Sequence, residues 1–116
     1  QFEKSQCYCF ARNSNGVFCI MLIEGALGKQ REITRDDNYA HEPSHLNGCH
    51  STLALGTSAP PKKDWEDFEG DIKVPIGKPA ATTHKGSYFG HNEYVLYNVN
   101  QARLRYLIWM KEKNSW

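Results

Sequence analysis

The last stretch of the chain constrains its fold most. From Arg103 to Lys111, residue character alternates: Leu104, Tyr106, Ile108 and Met110 fall on one side of an extended strand, and Arg103, Arg105, Leu107, Trp109 and Lys111 on the other. Just upstream, Glu93 is followed by Tyr94, Val95, Leu96 and Tyr97, all of which favour a strand, and Asn98 to Gln101 reads as a turn or short link. A chain with this ending builds a sheet. The Leu104 face reads as core. The Trp109 face mixes charge with apolar bulk and reads as covered by a loop or helix.

The remainder agrees with a sheet. Val17 to Leu27 is a β-former-rich run between glycines and reads as a buried strand; Lys29–Thr34, Ser51–Leu55 and Asp71–Ile76 read as shorter strands. Phe2 to Cys9 reads as the end of a helix, and Asn13-Ser14-Asn15-Gly16 as a turn. Arg35–Asn47, Thr57–Gly70 and Gly77–Gly90 carry the Pro, Gly and charge of loops. The expectation is one domain over residues 1–116, α+β in class and dominated by strands, with long loops of the kind that often carry function.

Bulk properties narrow the function classes. A chain of 116 residues supports one core, and 40% hydrophobic with 23% charged residues excludes disordered and collagen-like classes. The longest apolar run, Val17 to Ile23, ends at Glu24, too short for a membrane span. A net charge of +1 gives no strong field for nucleic acid or membranes; Arg103, Arg105, Lys111 and Lys113 read as a solvated strand edge and tail. The chain opens on Gln1 without a signal pattern, so the natural N-terminus is expected upstream. Cys7, Cys9, Cys19 and Cys49 read as buried or half-buried free thiols of a reducing compartment; a zinc module of Cys7, Cys9, Cys49 and His50 is a weaker alternative, because Cys-x-Cys is not the usual knuckle spacing.

Three segments, in order, carry a family resemblance. They are Lys4-Ser5-Gln6-Cys7-Tyr8-Cys9, then Leu22-Ile23-Glu24-Gly25-Ala26-Leu27-Gly28, then Asn92-Glu93-Tyr94-Val95-Leu96-Tyr97-Asn98 continued by Gln101-Ala102-Arg103-Leu104-Arg105-Tyr106-Leu107. They resemble the Lys-Ser-x-x-Tyr-Cys segment, the following strand and the catalytic-Glu motif with last strands of poly(ADP-ribose) polymerase catalytic domains. Gly48-Cys49-His50-Ser51 with Leu55-Gly56, and Val74-Pro75-Ile76-Gly77, resemble shorter family patterns between these. The likeness spans almost the whole chain and is greatest to the DNA-damage-responsive members. It implies the ADP-ribosyltransferase fold, antiparallel sheets with long loops, of which this chain is the C-terminal part.

The resemblance also implies chemistry: transfer of ADP-ribose from NAD to protein acceptors with release of nicotinamide, a glycosyl transfer whose sugar carbon gains oxocarbenium character. Glu93 matches the catalytic carboxylate. Ser5 matches the hydroxyl that bonds the nicotinamide carboxamide, and Tyr8 the aromatic that stacks on its ring. Lys4 and His91 fall on the acceptor side. NAD is a substrate, and no metal or other cofactor is implied. Nucleic acid would be met only through other domains, a nuclear location and a role in DNA repair follow from the family alone, and no membrane contact is expected. Family members carry Tyr where His91 stands and an apolar residue where Gly90 stands. The family makes poly-ADP-ribosylation the first reading, while the departure at His91 and Gly90, in the region that helps bind the acceptor, bears on chain elongation and keeps single-unit transfer as an alternative beside an inactive NAD- or ADP-ribose-binding module. The family's His-Gly pair and first Tyr have no counterpart here, since none of His41, His45, His50, His84 or His91 precedes a glycine. An upstream segment of the same domain is the implied partner, and the isolated chain is expected to bind NAD weakly or not at all.

Overall fold

The computed structural model describes residues 2–113. A short helix α1 (Phe2–Gln6) and a 3-10 turn (Ala11–Ser14) lead into Asn15 and Gly16, whose φ of 51° and 79° are left-handed. That pair reverses the chain into strand β1 (Val17–Gly25), and the Gly16 N–H closes the turn on the Ala11 carbonyl at 2.8 Å.

β1 pairs antiparallel with the last strand, β10 (Ala102–Lys111), from Val17 opposite Lys111 to Gly25 opposite Ala102, with a register shift at Leu22/Ile23. The two form a ribbon of their own. Its Leu104 face is not core: Leu104 is 53%, Tyr106 46% and Ile108 42% exposed, and Trp109 on the other face is 71% exposed. Alternation separates two faces but does not say what covers either; among the described residues no third strand joins the ribbon. Partial cover comes from the hairpin of β5 (Glu66–Phe68) and β6 (Ile72–Val74). There Phe68 meets Tyr106 edge-on at 6.3 Å, and Arg105 bridges Glu24 and Glu69.

The second sheet has the order β2–β3–β9, with β2 at Gln30–Ile33, β3 at Ser51–Ala54 and β9 at Glu93–Leu96. β2 and β3 are parallel, which demands a crossover, and the intervening chain supplies it with a helix α2 (Pro43–Leu46). Arg35–Asn47 is thus not all loop: one helical turn is too short to show periodicity, and Pro43 at its start and left-handed Asn47 at its end define it. β3 is the centre of the core, with Ser51, Thr52, Leu53 and Ala54 all buried. Its two hydroxyls are satisfied: Ser51 Oγ donates to the Leu27 carbonyl at 2.7 Å, and Thr52 Oγ1 accepts from Tyr97 at 2.7 Å. Phe18 and Ala11 complete the buried apolar set.

The third sheet, β7–β4–β8, joins Ala80–Ala81, Gly56–Ala59 and Phe89–His91. The loops expected over Thr57–Gly70 and Gly77–Gly90 therefore contain strands. Thr57-Ser58-Ala59 and Ala80-Ala81 show no apolar alternation, and side chains bonding to backbone hold them in place. Thr82 Oγ1 donates to the Gly56 carbonyl at 2.6 Å and Ser87 Oγ to the Leu55 carbonyl at 2.5 Å. The class is the expected strand-dominated α+β, with parallel pairs β2–β3 and β4–β8 beside the antiparallel ones. The radius of gyration, 15.8 Å, is large for the chain's size, since about 13 Å is typical for roughly 100 compact residues.

Candidate active site

Strands β3 and β4 form one extended segment interrupted at Leu55, and β8 and β9 another interrupted at Asn92. β3 runs antiparallel to β9, with Ala54 opposite Glu93, whereas β4 runs parallel to β8, with Gly56 opposite Phe89. Two segments can be antiparallel in one half and parallel in the other only if one of them folds back between its halves. This corner presses Gly56 onto the His91–Asn92 backbone: a Cβ there would lie 2.3 Å from the His91 carbonyl carbon and 2.6 Å from the Asn92 nitrogen. The Gly56 N–H donates to Asn92 Oδ1 at 2.8 Å. Glu93 leaves this corner as the first residue of β9, its backbone fixed by the ladder to buried Ala54.

Glu93 meets α1. Lys4 Nζ lies 2.9 Å from Glu93 Oε1, and the same ammonium stands 5.6 Å from the centre of the Tyr8 ring. The hydrogen bond and charge of Glu93 raise the Lys4 pKa above its ordinary value. The two side chains are 39% and 35% exposed, so water and incoming polar groups compete for this pair. Three of the five expected site residues, Lys4, Tyr8 and Glu93, are therefore together. Ser5 follows Lys4 on the exposed side of α1, and its carbonyl accepts from the Tyr8 N–H at 3.1 Å. Tyr8 is 70% exposed, an open aromatic face beside the carboxylate.

Glu93 also lines an open cavity of about 320 Å³ with Thr52 and Val95 of the second sheet, Phe89 of β8, and Asp36 and His41 from the crossover. It thus links α1 to a hollow floored by the buried strand. Asp37 borders the hollow but is engaged elsewhere: it accepts from Arg31 Nη1 at 2.7 Å and the Tyr39 N–H at 3.0 Å, and meets His45 Nδ1 at 2.9 Å. His45 first and Arg31 second hold the Asp37 carboxyl down to about 2. The crossover's part in this cavity was not evident from sequence; the available signal was the acid run Asp36-Asp37 inside a long loop. A second open cavity, about 430 Å³ beside α2, holds none of the expected site residues.

His91 lies at the end of β8, opposite Ser58, with its Nδ1 buried and without a hydrogen-bond partner, and it is not among the residues lining the Glu93 cavity. The zinc alternative finds no support: among the described residues no three His, Cys, Asp or Glu side chains gather to hold a metal. His50 instead packs on Gly28 and accepts from the Lys29 N–H through Nδ1 at 3.0 Å. Cys9, Cys19 and Cys49 are half-buried, while Cys7 is exposed, unlike the expectation for a packed thiol. Cys9 Sγ, three residues beyond α1, lies 3.5 Å from the Ser5 carbonyl and 4.0 Å from the Cys19 carbonyl, which links α1 to β1.

A carboxylate fixed at a strand start, half-exposed and already facing a cation can accept a bond from a hydroxyl, stabilise developing positive charge, or take up a proton. An open aromatic face and a hydroxyl on the adjoining helix suit a flat amide-bearing ring.

Comparison with known proteins gives these features a context. Residues 1–112 match the family model described as poly(ADP-ribose) polymerase catalytic domain. The chain is 35% identical over 113 residues to poly(ADP-ribose) polymerase 1 of Arabidopsis thaliana, covering 97% of this chain and 11% of that protein. It is 38% identical over 110 residues to poly(ADP-ribose) polymerase 2 of Homo sapiens, covering 91% of this chain and 18% of that protein. With poly(ADP-ribose) polymerase 2 of Arabidopsis thaliana it shares 34% identity over 112 residues, 95% of this chain and 17% of the relative. The chain thus spans less than a fifth of the length of these curated relatives.

Proposed function

Because the chain belongs to the poly(ADP-ribose) polymerase catalytic-domain family, we propose that it forms the C-terminal part of an ADP-ribosyltransferase active site in which Glu93 is the catalytic carboxylate. The observation that carries this reading is the setting of Glu93: held at the β8–β9 corner, facing a cavity, and in contact with α1, which bears Lys4 and Ser5 and is followed by Tyr8 in the next turn. NAD is the substrate. The bond from the nicotinamide nitrogen to the ribose carbon breaks, nicotinamide leaves with the electron pair, and an acceptor oxygen bonds to that carbon. Glu93 stabilises the oxocarbenium-like sugar and takes the acceptor's proton. Ser5 bonds the carboxamide and Tyr8 stacks on the ring, while Lys4 and His91 serve the acceptor side. The Lys4–Glu93 pair opens when substrate enters.

The acceptor is a protein, and an upstream segment of the same domain supplies the adenosine-side half of the NAD site. The open apolar ribbon favours this: Leu104, Tyr106 and Ile108 have the exposure of an interior face awaiting a partner. A nuclear setting and contact with nucleic acid through other domains accord with the family. Product length rests on Gly90 and His91, where the polymer-forming pattern is broken, so addition of a single unit is the second reading.

The test incubates labelled NAD with this chain alone and with an N-terminally extended protein, each beside its Glu93→Gln variant. Transfer by the extended protein that falls by about 10²-fold or more in the variant is expected, the usual scale for a general base. Transfer unaffected by Glu93→Gln refutes the assignment. A gel ladder of modified acceptor indicates polymer, and one discrete shift indicates a single unit. NAD binding without turnover, by calorimetry, indicates a binding module.

A further inference from the structure

We infer that Asn92 is a positioning residue for Glu93, acting through Gly56; this rests on the reading of Glu93 as the catalytic carboxylate. Asn92 is the one residue between β8 and β9, at the corner where the two segments change relative direction. Its side-chain oxygen accepts from the N–H of buried Gly56 at 2.8 Å.

The Asn92 side chain therefore ties β4 to the residue before the catalytic position. The other side of Gly56 is secured by Thr82, whose hydroxyl bonds the Gly56 carbonyl at 2.6 Å. Gly56 is thus held by a side chain at each of its backbone groups, and the missing Cβ lets it sit against His91 and Asn92. Removing the Asn92 side chain would leave a buried N–H without an acceptor beside Glu93. The corner would then open to bring water to it, and β9 would start from a different place. A carboxylate that must meet one sugar hydroxyl does not tolerate such a shift. Asn92 itself does not touch the substrate in this account, and its effect falls on the chemical step.

The experiment compares Asn92→Ala, Asn92→Asp, Thr82→Val and Glu93→Gln in the N-terminally extended protein, reading kcat, the KM for NAD and the thermal midpoint. In Asn92→Ala, kcat falls by about 10- to 100-fold while KM stays within about twofold, the split expected for lost geometry rather than lost binding. Asn92→Asp, whose carboxylate still accepts from Gly56, recovers kcat to within about threefold of the parent, a restoration that general destabilisation would not produce. If Asn92→Ala does not fold, Thr82→Val decides, since it loosens Gly56 from the opposite side and is expected to lower kcat in the same manner. The inference is overturned if folded Asn92→Ala keeps kcat within about threefold, if KM carries the loss, or, where Thr82→Val decides, if that variant is unchanged. Full activity in Glu93→Gln overturns the underlying reading, whereas an inactive Glu93→Gln beside a fully active Asn92→Ala overturns only this one.

Discussion

Replacing Gly56 by alanine tests the corner most directly. Gly56 lies outside the left-handed region, so alanine can adopt its backbone, and the whole effect comes from the space its Cβ would take. That Cβ would sit 2.3 Å from the His91 carbonyl carbon. Carbon atoms rest at about 3.5 Å or more, so one of the two segments must retreat by about 1 Å. The wall is backbone, with His91 Cα and the Asn92 nitrogen each at 2.6 Å, and no side chain can rotate away to relieve it. The cost therefore falls at the upper end of overpacking, about 3 kcal/mol. A displacement of about 1 Å at the residue before Glu93 should also lower transfer by about 10²-fold. Urea unfolding measures the first effect, and initial rates with labelled NAD the second. Gly86→Ala is the control: nothing lies within 4 Å of its Cβ position and its φ is not left-handed. It should change stability by no more than about 1 kcal/mol, in the stabilising direction. A Gly56→Ala protein within about 0.5 kcal/mol of the parent would refute the account of the corner.

Other outcomes follow from single contacts. Thr52→Val removes the acceptor of the Tyr97 hydroxyl beneath the Glu93 cavity; because half-buried Tyr97 keeps some access to water, the loss should be about 1 kcal/mol by urea unfolding. Asp37 has a folded pKa of about 2 against 3.8 for the free group, so its stabilising effect is fully present above that ordinary value and lost as pH falls toward 2. The stability gap between the parent and Asp37→Asn should therefore close across that window, and a gap independent of pH would discount the Arg31 and His45 bonds.

Strands β1, β3, β9 and β10 were legible in the sequence because their residues are β-branched, aromatic or alternating. β4, β7 and β8 were not, since Gly56-Thr57-Ser58-Ala59 and Ala80-Ala81 have no apolar pattern, and Thr82 and Ser87 hydroxyls set their paths. The burial of β10 was misread for a different reason: periodicity counts faces, and cover is a property of the neighbours. At the site, the closeness of Lys4 and Tyr8 to Glu93 could be anticipated only through the family likeness, because nearly the whole chain separates them. The roles of Asn92 and Gly56 were invisible, since a hydrogen bond across a corner and a missing Cβ leave no periodic trace.

The ribbon also bears on the order in which the site is made. β3, β4, β8 and β9 lie between Ser51 and Leu96, so the corner holding Glu93 closes over moderate loops. β1 and β10 pair Val17 with Lys111, a longer closure whose entropy rises with the logarithm of the loop and whose non-local character slows folding. α1 precedes β1 and is tied to it through Cys9 and Cys19. Lys4 and Tyr8 are therefore expected to reach Glu93 as the ribbon zips. The carboxylate is thus expected to be placed before its helix, an order that pulse-labelled hydrogen exchange on β9 against β1 would check.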